Sequence, residues 1–415
     1  MADYSRPWRE FNNITAGICE KFGSASPFGD ASIVSGIERI KTQLAAGSTL
    51  LFTYASNKGC EFFFVHGGRY QRETIAIDSL QLFCKALAEY QKGGGASRAI
   101  FRKRLGELET AISPIMGRIV TTLENNNSSR FVFIPDMLTE GLPIFPAIIA
   151  SEKLRLRIKD GQFEFLTCPA LWEEQGDCIV GKSGLFLSNS EEKLELTESE
   201  RILVQSAFPP GCCLAHDLNS DVLDFSKPPV NSTGHIHLAT HSVPANSFTD
   251  PNFVSTSLNM GKNSIWLDSV QRESPKLQFK LVVLNGCNTG TTSNWNLYGK
   301  FMTNEKVGLS SVFLLNRRSV VIATQWNEPE IASFTFTSLF YRNLKAQRHG
   351  AKAFALAMVD LFELDIEGAV KVFQGILSES LRQDRCKAIA KSASPYPFRS
   401  AYSLGMFQCH SLMFK

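Results

Sequence analysis

Two side chains in this sequence carry the types and the placement that nucleophilic chemistry needs. His241 closes the run Gly234-His-Ile-His-Leu-Ala-Thr-His241, and Cys287 closes the run Phe279-Lys-Leu-Val-Val-Leu-Asn-Gly-Cys287. Short apolar runs of this kind, bounded by Gly, Asn and Ser, predict buried strands of a parallel sheet. In such sheets chemistry gathers at the carboxyl ends of the strands. A thiol is only a few per cent thiolate near neutral pH, so it needs a base to attack a carbonyl. An imidazole within reach takes the proton and later returns it to the leaving amine. The backbone N–H groups of Ser242 and Cys287, on the two turns, are the natural donors to the oxyanion that forms. No third carboxylate is required, and none stands at a persuasive position. The alternative for the same residues is an inert buried thiol beside a packed histidine.

His235 and His237 alternate with His241, so all three can share one face of a strand. With Cys287 they suggest a His/Cys metal site. However, His235 lies six residues back, roughly 20 Å at ~3.3 Å per residue, beyond any coordination sphere. His235 and His237 are therefore expected in the core, or supporting the reacting pair from behind. Cys212 and Cys213 are adjacent, but no Cys-x-x-Cys pair completes a zinc site. The expectation is a site with no metal and no cofactor.

The chain as a whole narrows the class. Its 415 residues could form one large or two ordinary domains, with core enough to need no staples. A net charge of +3 gives no argument for nucleic acid or a membrane surface as partner. The start, Met1-Ala-Asp-Tyr-Ser-Arg6, lacks a secretory h-region, and no apolar run approaches the ~18 residues of a spanning helix. Ten Cys at scattered spacings in so large a chain fit reduced thiols and a cytoplasmic location.

Local patterns supply the elements that must position the pair. Residues 1–40 are mildly amphipathic and predict one or two helices. Ser48–Tyr54 and Glu61–His66 predict a hairpin turning at Asn57-Lys-Gly59. Helices are expected over Asp78–Gln91 and Arg98–Leu123, the second with a kink at Pro114. Strands follow at Arg130–Asp136, Phe163–Pro169 and Gly184–Asn189. Thr197-Glu-Ser-Glu200 reads as a capping box opening a helix that Pro209-Pro210 stops. Cys212–Ala215 predicts a further strand, then come the His and Cys strands. Glu330–Ala346 and Ala351–Phe362 predict helices, and Tyr402–Phe407 a last strand. Strands alternating with helices imply an α/β fold with a mainly parallel sheet.

A His ending one strand about 50 residues before a Cys ending another is the layout of caspases. More specifically, the sequence resembles the CHAT domain, a caspase-like peptidase domain. His237-Leu-Ala-Thr-His241-Ser matches its His strand, and Leu281-Val-Val-Leu-Asn-Gly-Cys287-Asn-Thr-Gly290 its Cys strand. Val312-Phe-Leu-Leu315 with Ser319-Val-Val-Ile-Ala-Thr-Gln-Trp326 is similar to a third landmark. Ile134-Pro-Asp-Met-Leu-Thr-Glu-Gly-Leu-Pro-Ile-Phe145 resembles an earlier one, and Pro395-Tyr-Pro-Phe-Arg-Ser-Ala-Tyr402 its closing strand. The resemblance spans roughly residues 40–408. Ser242 stands where a Gly is usual, Asn285 where a small residue is usual, and Asn316-Arg317 where Gly-Ala is usual. The polar segment Thr291–Lys306 is longer than the family pattern.

The resemblance implies a caspase-like, mainly parallel sheet flanked by helices, with an N-terminal pseudo-peptidase half packed on an active half. The expected division is a helical segment over 1–40, a pseudo-caspase half over 41–165 and an active half over 166–415. It implies a cysteine endopeptidase that cleaves a selected protein through His241 and Cys287. The specificity pocket would form beside the nucleophile from Asn285, Asn189, Glu191, Trp326, Asn327 and Glu328. An acid-lined pocket takes Arg or Lys, which favours a basic or neutral residue before the cut; the alternative is that Glu328 simply opens a helix at Pro329. Thr291–Lys306 lies where caspases carry their activation linker, which implies activation by another protein, with a repeat protein as a candidate. Defence or cell-death pathways, and a gasdermin-like pore former as substrate, are further implications. The rival expectation is a catalytically silent CHAT pseudo-peptidase that serves as a binding or scaffold module.

Overall fold

The computed structural model describes residues 47–56, 59–67, 69–91, 95–135, 139, 141–167, 181–188, 195–217, 234–240, 242–243, 257–258, 265–266, 279–286, 292–294, 306–308, 310, 313–314, 319–326 and 330–411. The expected helices before residue 41 lie outside this set. So do His241, Cys287, Asn189, Glu191, Asn327 and Glu328.

The chain enters through an antiparallel meander. β1 (Ser48–Ser56) pairs with β2 (Gly59–His66) so that Ser56 faces Gly59, which leaves only Asn57 and Lys58 to connect them. The expected hairpin is therefore present. β3 (Arg69–Ile75) adds a strand that the sequence pattern did not suggest. Its Arg-Tyr-Gln-Arg-Glu-Thr run has no apolar alternation, as befits a charged strand at the rim of a sheet. Arg72 there pairs with Glu61 of β2 at 2.6 Å. Helices α1 (Ile77–Gln91) and α2 (Gly95–Asn125) follow, and α2 runs on through Pro114.

The α/β part begins with β4 (Arg130–Ile134), α3 (Ile144–Ala150), α4 (Glu152–Lys159), β5 (Glu164–Thr167), β6 (Gly184–Ser188), α5 (Thr197–Ser206) and β7 (Cys213–Asp217). β8 (His235–Ala239) and β12 (Leu281–Asn285) are the expected His and Cys strands. Between them lie the short β9 (Ser242–Val243), β10 (Ser257–Leu258) and β11 (Ile265–Trp266), which form a small antiparallel sheet. β13 (Thr292–Asn294) and β14 (Lys306–Gly308) pair with each other and close the base of the polar segment. β15 (Val320–Thr324) is followed by α6 (Glu330–Gln347), α7 (Gly350–Glu363), α8 (Ile366–Phe373), α9 (Glu379–Ala390), α10 (Ala401–Leu404) and β16 (Phe407–Ser411).

The long sheet has eleven strands in the order β3-β2-β1-β4-β5-β16-β15-β12-β8-β6-β7. Every neighbouring pair is parallel except β1–β2, β2–β3 and β15–β16. The expected boundary at residue 165 falls inside β5, which joins β16 through the pair His410 and Thr167.

The end of the chain corrects the expectation. Neither 395–402 nor 402–407 is a strand: Ala401–Leu404 is a single helical turn, and the strand starts at Phe407. The Ser400 hydroxyl accepts from Ser403 N at 3.3 Å, the usual capping contact, and turns the apolar Tyr402-Ser-Leu404 into a helix start. β16 is wholly buried although it carries Gln408, His410 and Ser411.

One face of the sheet packs under helices around a core rich in aromatic rings. Phe101 of α2 meets Trp326, just past β15, edge to face at 5.3 Å. Tyr90 of α1 stacks on Phe101 at 5.0 Å and hydrogen-bonds Tyr402 at 2.8 Å. Each such buried ring contributes roughly 2–3 kcal/mol of transfer energy. This cluster clamps the first helices onto the carboxyl end of β15. Gly405 makes the close approach possible: a Cβ there would sit 2.6 Å from Ala401 O and 3.0 Å from the Trp326 ring.

Candidate active site

β8, β12 and β15 lie side by side in the centre of the sheet, all parallel. Ala239 of β8 is the register partner of Asn285 of β12. His241 and Cys287 each follow two residues after that pair, beyond the described Thr240 and Gly286. The described ends of the two strands therefore lie at the same end of the sheet and at the same level. Ser242 is described as backbone only, within β9 and opposite Leu258.

Behind these strand ends runs a buried set of polar contacts. The Tyr341 hydroxyl of α6 lies 2.8 Å from His235 Nε2 and 2.8 Å from His237 Nδ1. A hydroxyl has one proton, so it donates to one ring and accepts from the other. His237 Nε2 donates to Glu200 Oε1 of α5 at 2.9 Å. The same Glu200 oxygen accepts from the Asn285 side-chain amide. Asn285 Oδ1 in turn accepts from the Ser333 hydroxyl of α6 at 2.5 Å. Phe186 and Phe208 stack on the His237 and His235 rings at 5.2 and 5.1 Å. Burial, aided by the neighbouring His237, pushes the His235 imidazole down to about 3, so it is neutral near pH 7. Burial above all, then the nearby Cys213 and Glu200, raises the Tyr341 phenol well above its usual range.

His235 and His237 thus sit in the core behind the strand ends, where the sequence put them. Glu200 departs from the sequence reading. The expected capping box does not form: the residue before the helix is Leu196, with no side-chain cap, and the Glu200 carboxylate turns inward to His237 and Asn285. The Leu196 N–H goes instead to Glu330 Oε1 at 2.9 Å. Arg385 of α9 bridges Glu330 Oε2 at 2.9 Å and Glu195 at 2.6 Å. These contacts tie the segment after β6 to the segment after β15, the two that carry Asn189, Glu191, Asn327 and Glu328.

Two of the six pocket candidates are described. Asn285 is half-buried, with both ends of its amide engaged. Trp326 is fully enclosed, donates Nε1–H to Tyr402 O at 3.1 Å, and turns its ring to the core instead of to an open pocket. Ser333, Tyr341 and Thr324 are not among the candidates read from the sequence, and Glu200 is there only as part of a helix cap. Thr324, at the end of β15, donates its hydroxyl to Gly286 O, one residue before Cys287. The signal available for them is faint: a Glu on the buried face of a helix.

Among the described residues, no group of three His, Cys, Asp or Glu side chains could hold a metal ion. No described helix is long and apolar enough to cross a membrane. The sequence profile of the CHAT domain matches residues 113–396, more than half of the chain. The chain belongs to the CHAT domain family. Its fold is similar to that in the crystal structure of the Saccharomyces cerevisiae separase–securin complex, with a TM-score of 0.53 and 8% sequence identity. That match covers 97% of this chain and 32% of the separase chain, so this chain spans about a third of its length. No curated protein matches. The CHAT sheet here is the caspase-like one: mostly parallel, with helices packed on it.

Proposed function

We propose that this CHAT protein is a cysteine endopeptidase in which Cys287 is the nucleophile and His241 its base. The observation that supports this most is the register of β8 and β12, which pairs Ala239 with Asn285 two residues before each of them. In the proposed reaction His241 takes the thiol proton and the Cys287 sulfur attacks the peptide carbonyl. The resulting oxyanion is met by the backbone N–H groups of Cys287 and Ser242. His241 then protonates the leaving amine, and water hydrolyses the thioester by the same route.

The substrate in this reading is a selected protein, with a gasdermin-like pore former as a candidate. Activation by a second protein, a repeat protein among the candidates, and a defence role in the cytoplasm complete the proposal. These finer points rest on the CHAT resemblance, with no site residue behind them.

The test is labelling of the chain by an electrophilic peptide probe, with and without the candidate activator. Cys287→Ala is expected to abolish labelling and cleavage with its melting unchanged, since Cys behaves as a small hydrophobe and Ala lacks only the sulfur. His241→Ala is expected to slow turnover by several orders of magnitude, and a chelator to leave it unaffected. Labelling that survives Cys287→Ala would leave the silent binding module as the better reading.

A further inference from the structure

The end of β12 is held in a way that the β-ladder does not account for. The register with β8 stops at Asn285. The next residue, Gly286, has its carbonyl anchored by the Thr324 hydroxyl, which comes from the neighbouring strand and is itself buried. Asn285 is gripped at both ends of its amide, by Glu200 on α5 and by Ser333 on α6. Three elements distant in sequence from β12 therefore converge on two residues, at the point where the CHAT pattern would have a small side chain in place of Asn285.

A peptide unit is planar and trans, so its C=O and N–H point in opposite directions within one rigid plane. Anchoring Gly286 O therefore sets the direction of the N–H on the far side of the same peptide, which belongs to Cys287. We propose that Thr324, with the Asn285 amide and its partners Glu200 and Ser333, are positioning residues that preset the Cys287 N–H as an oxyanion donor. The proposal rests on the reading of Cys287 as the nucleophile. Preset donors of this kind stabilise the tetrahedral intermediate because no reorganisation is left for the moment of reaction, and losing one costs about 10²–10³ in rate. Removing an anchor, with the donor itself still present, is expected to cost about tenfold or more.

Two small reagents separate this role from general damage to the thiol. With p-nitrophenyl acetate the sulfur attacks the carbonyl and a C–S bond forms through an oxyanion. The ester C–O bond then breaks, and p-nitrophenolate leaves and is read by absorbance. With iodoacetamide the sulfur displaces iodide directly, with no oxyanion. Both rates are measured on the full chain with the Cys287→Ala background subtracted. Thr324→Val is expected to slow acylation about tenfold or more while alkylation and the melting midpoint stay as in the parent. Thr324→Ser should restore acylation, and Asn285→Ala should lower it in the same selective way. Equal slowing of both reagents, or acylation unchanged in Thr324→Val, overturns the proposal. Acylation by Cys287→Ala as fast as by the parent overturns the nucleophile assignment itself.

Discussion

Tyr341 and His237 are joined by a 2.8 Å hydrogen bond across 104 residues of sequence, with both side chains buried. The bond pins α6 to the His strand from behind, and the same hydroxyl also holds His235. Tyr341→Phe removes the partner of one nitrogen on each ring with almost no change of shape. Each buried group that loses its partner costs about 1–3 kcal/mol, so a loss of about 2–6 kcal/mol is expected. Urea unfolding at pH 7 measures it, and an unchanged midpoint would show that neither hydrogen bond contributes to stability.

The His235 imidazole gives the fold a dependence on acid. Its folded value is about 3, because burial and then His237 oppose its charge, whereas an unfolded chain carries it near ~6.5. The unfolded chain therefore binds more protons between those values. The stability tied to His235 is complete above pH ~6.5 and drains away toward pH 3, by up to about 1.4 kcal/mol per pH unit. Melting midpoints of the parent and His235→Gln between pH 7 and pH 4 are the comparison, with the steeper fall expected in the parent. Parallel curves would contradict it.

Gly405 is a packing requirement. A Cβ there meets Ala401 O at 2.6 Å and the Trp326 ring at 3.0 Å, so Gly405→Ala must move either the α10 turn or the indole. Overpacking of this kind costs about 1–3 kcal/mol. Thermal melting reads the loss, and the change in Trp fluorescence shows whether the ring has moved.

Cys213 is expected to stay silent toward thiol reagents. Burial pushes its thiol up to about 12, which leaves roughly one thiolate in 10⁴ at pH 8. Peptide mapping after brief iodoacetamide treatment should find it unmodified in the folded chain and modified after unfolding in urea. Modification at equal rates in both states would mean that the site is open.

The central strands were legible because Leu281-Val-Val-Leu284 and Ser319-Val-Val-Ile-Ala323 are apolar runs that only a sheet buried on both faces accommodates. β16 was hidden for the opposite reason: Gln408, His410 and Ser411 make it look half-exposed, yet it is covered on all sides. β3 and the helices α3, α4, α8 and α9 were also missed, their local patterns being short or strongly charged. Glu200 illustrates a deeper limit. Thr197-x-x-Glu200 satisfies the local rule for a helix cap, but partners on β8 and β12 bind the carboxylate, and nothing local announces them.

The position of β16 also bears on the order in which this protein can come into being. The strand is made late but belongs in the middle of the sheet, where His410 reaches back to Thr167 across more than two hundred residues. Contacts of such long range form slowly and only after the intervening chain exists. While the chain is being synthesised, β5 and β15 wait with an open slot between them. The seam closes as one late event, and until then two exposed strand edges are what the nascent chain offers to chaperones.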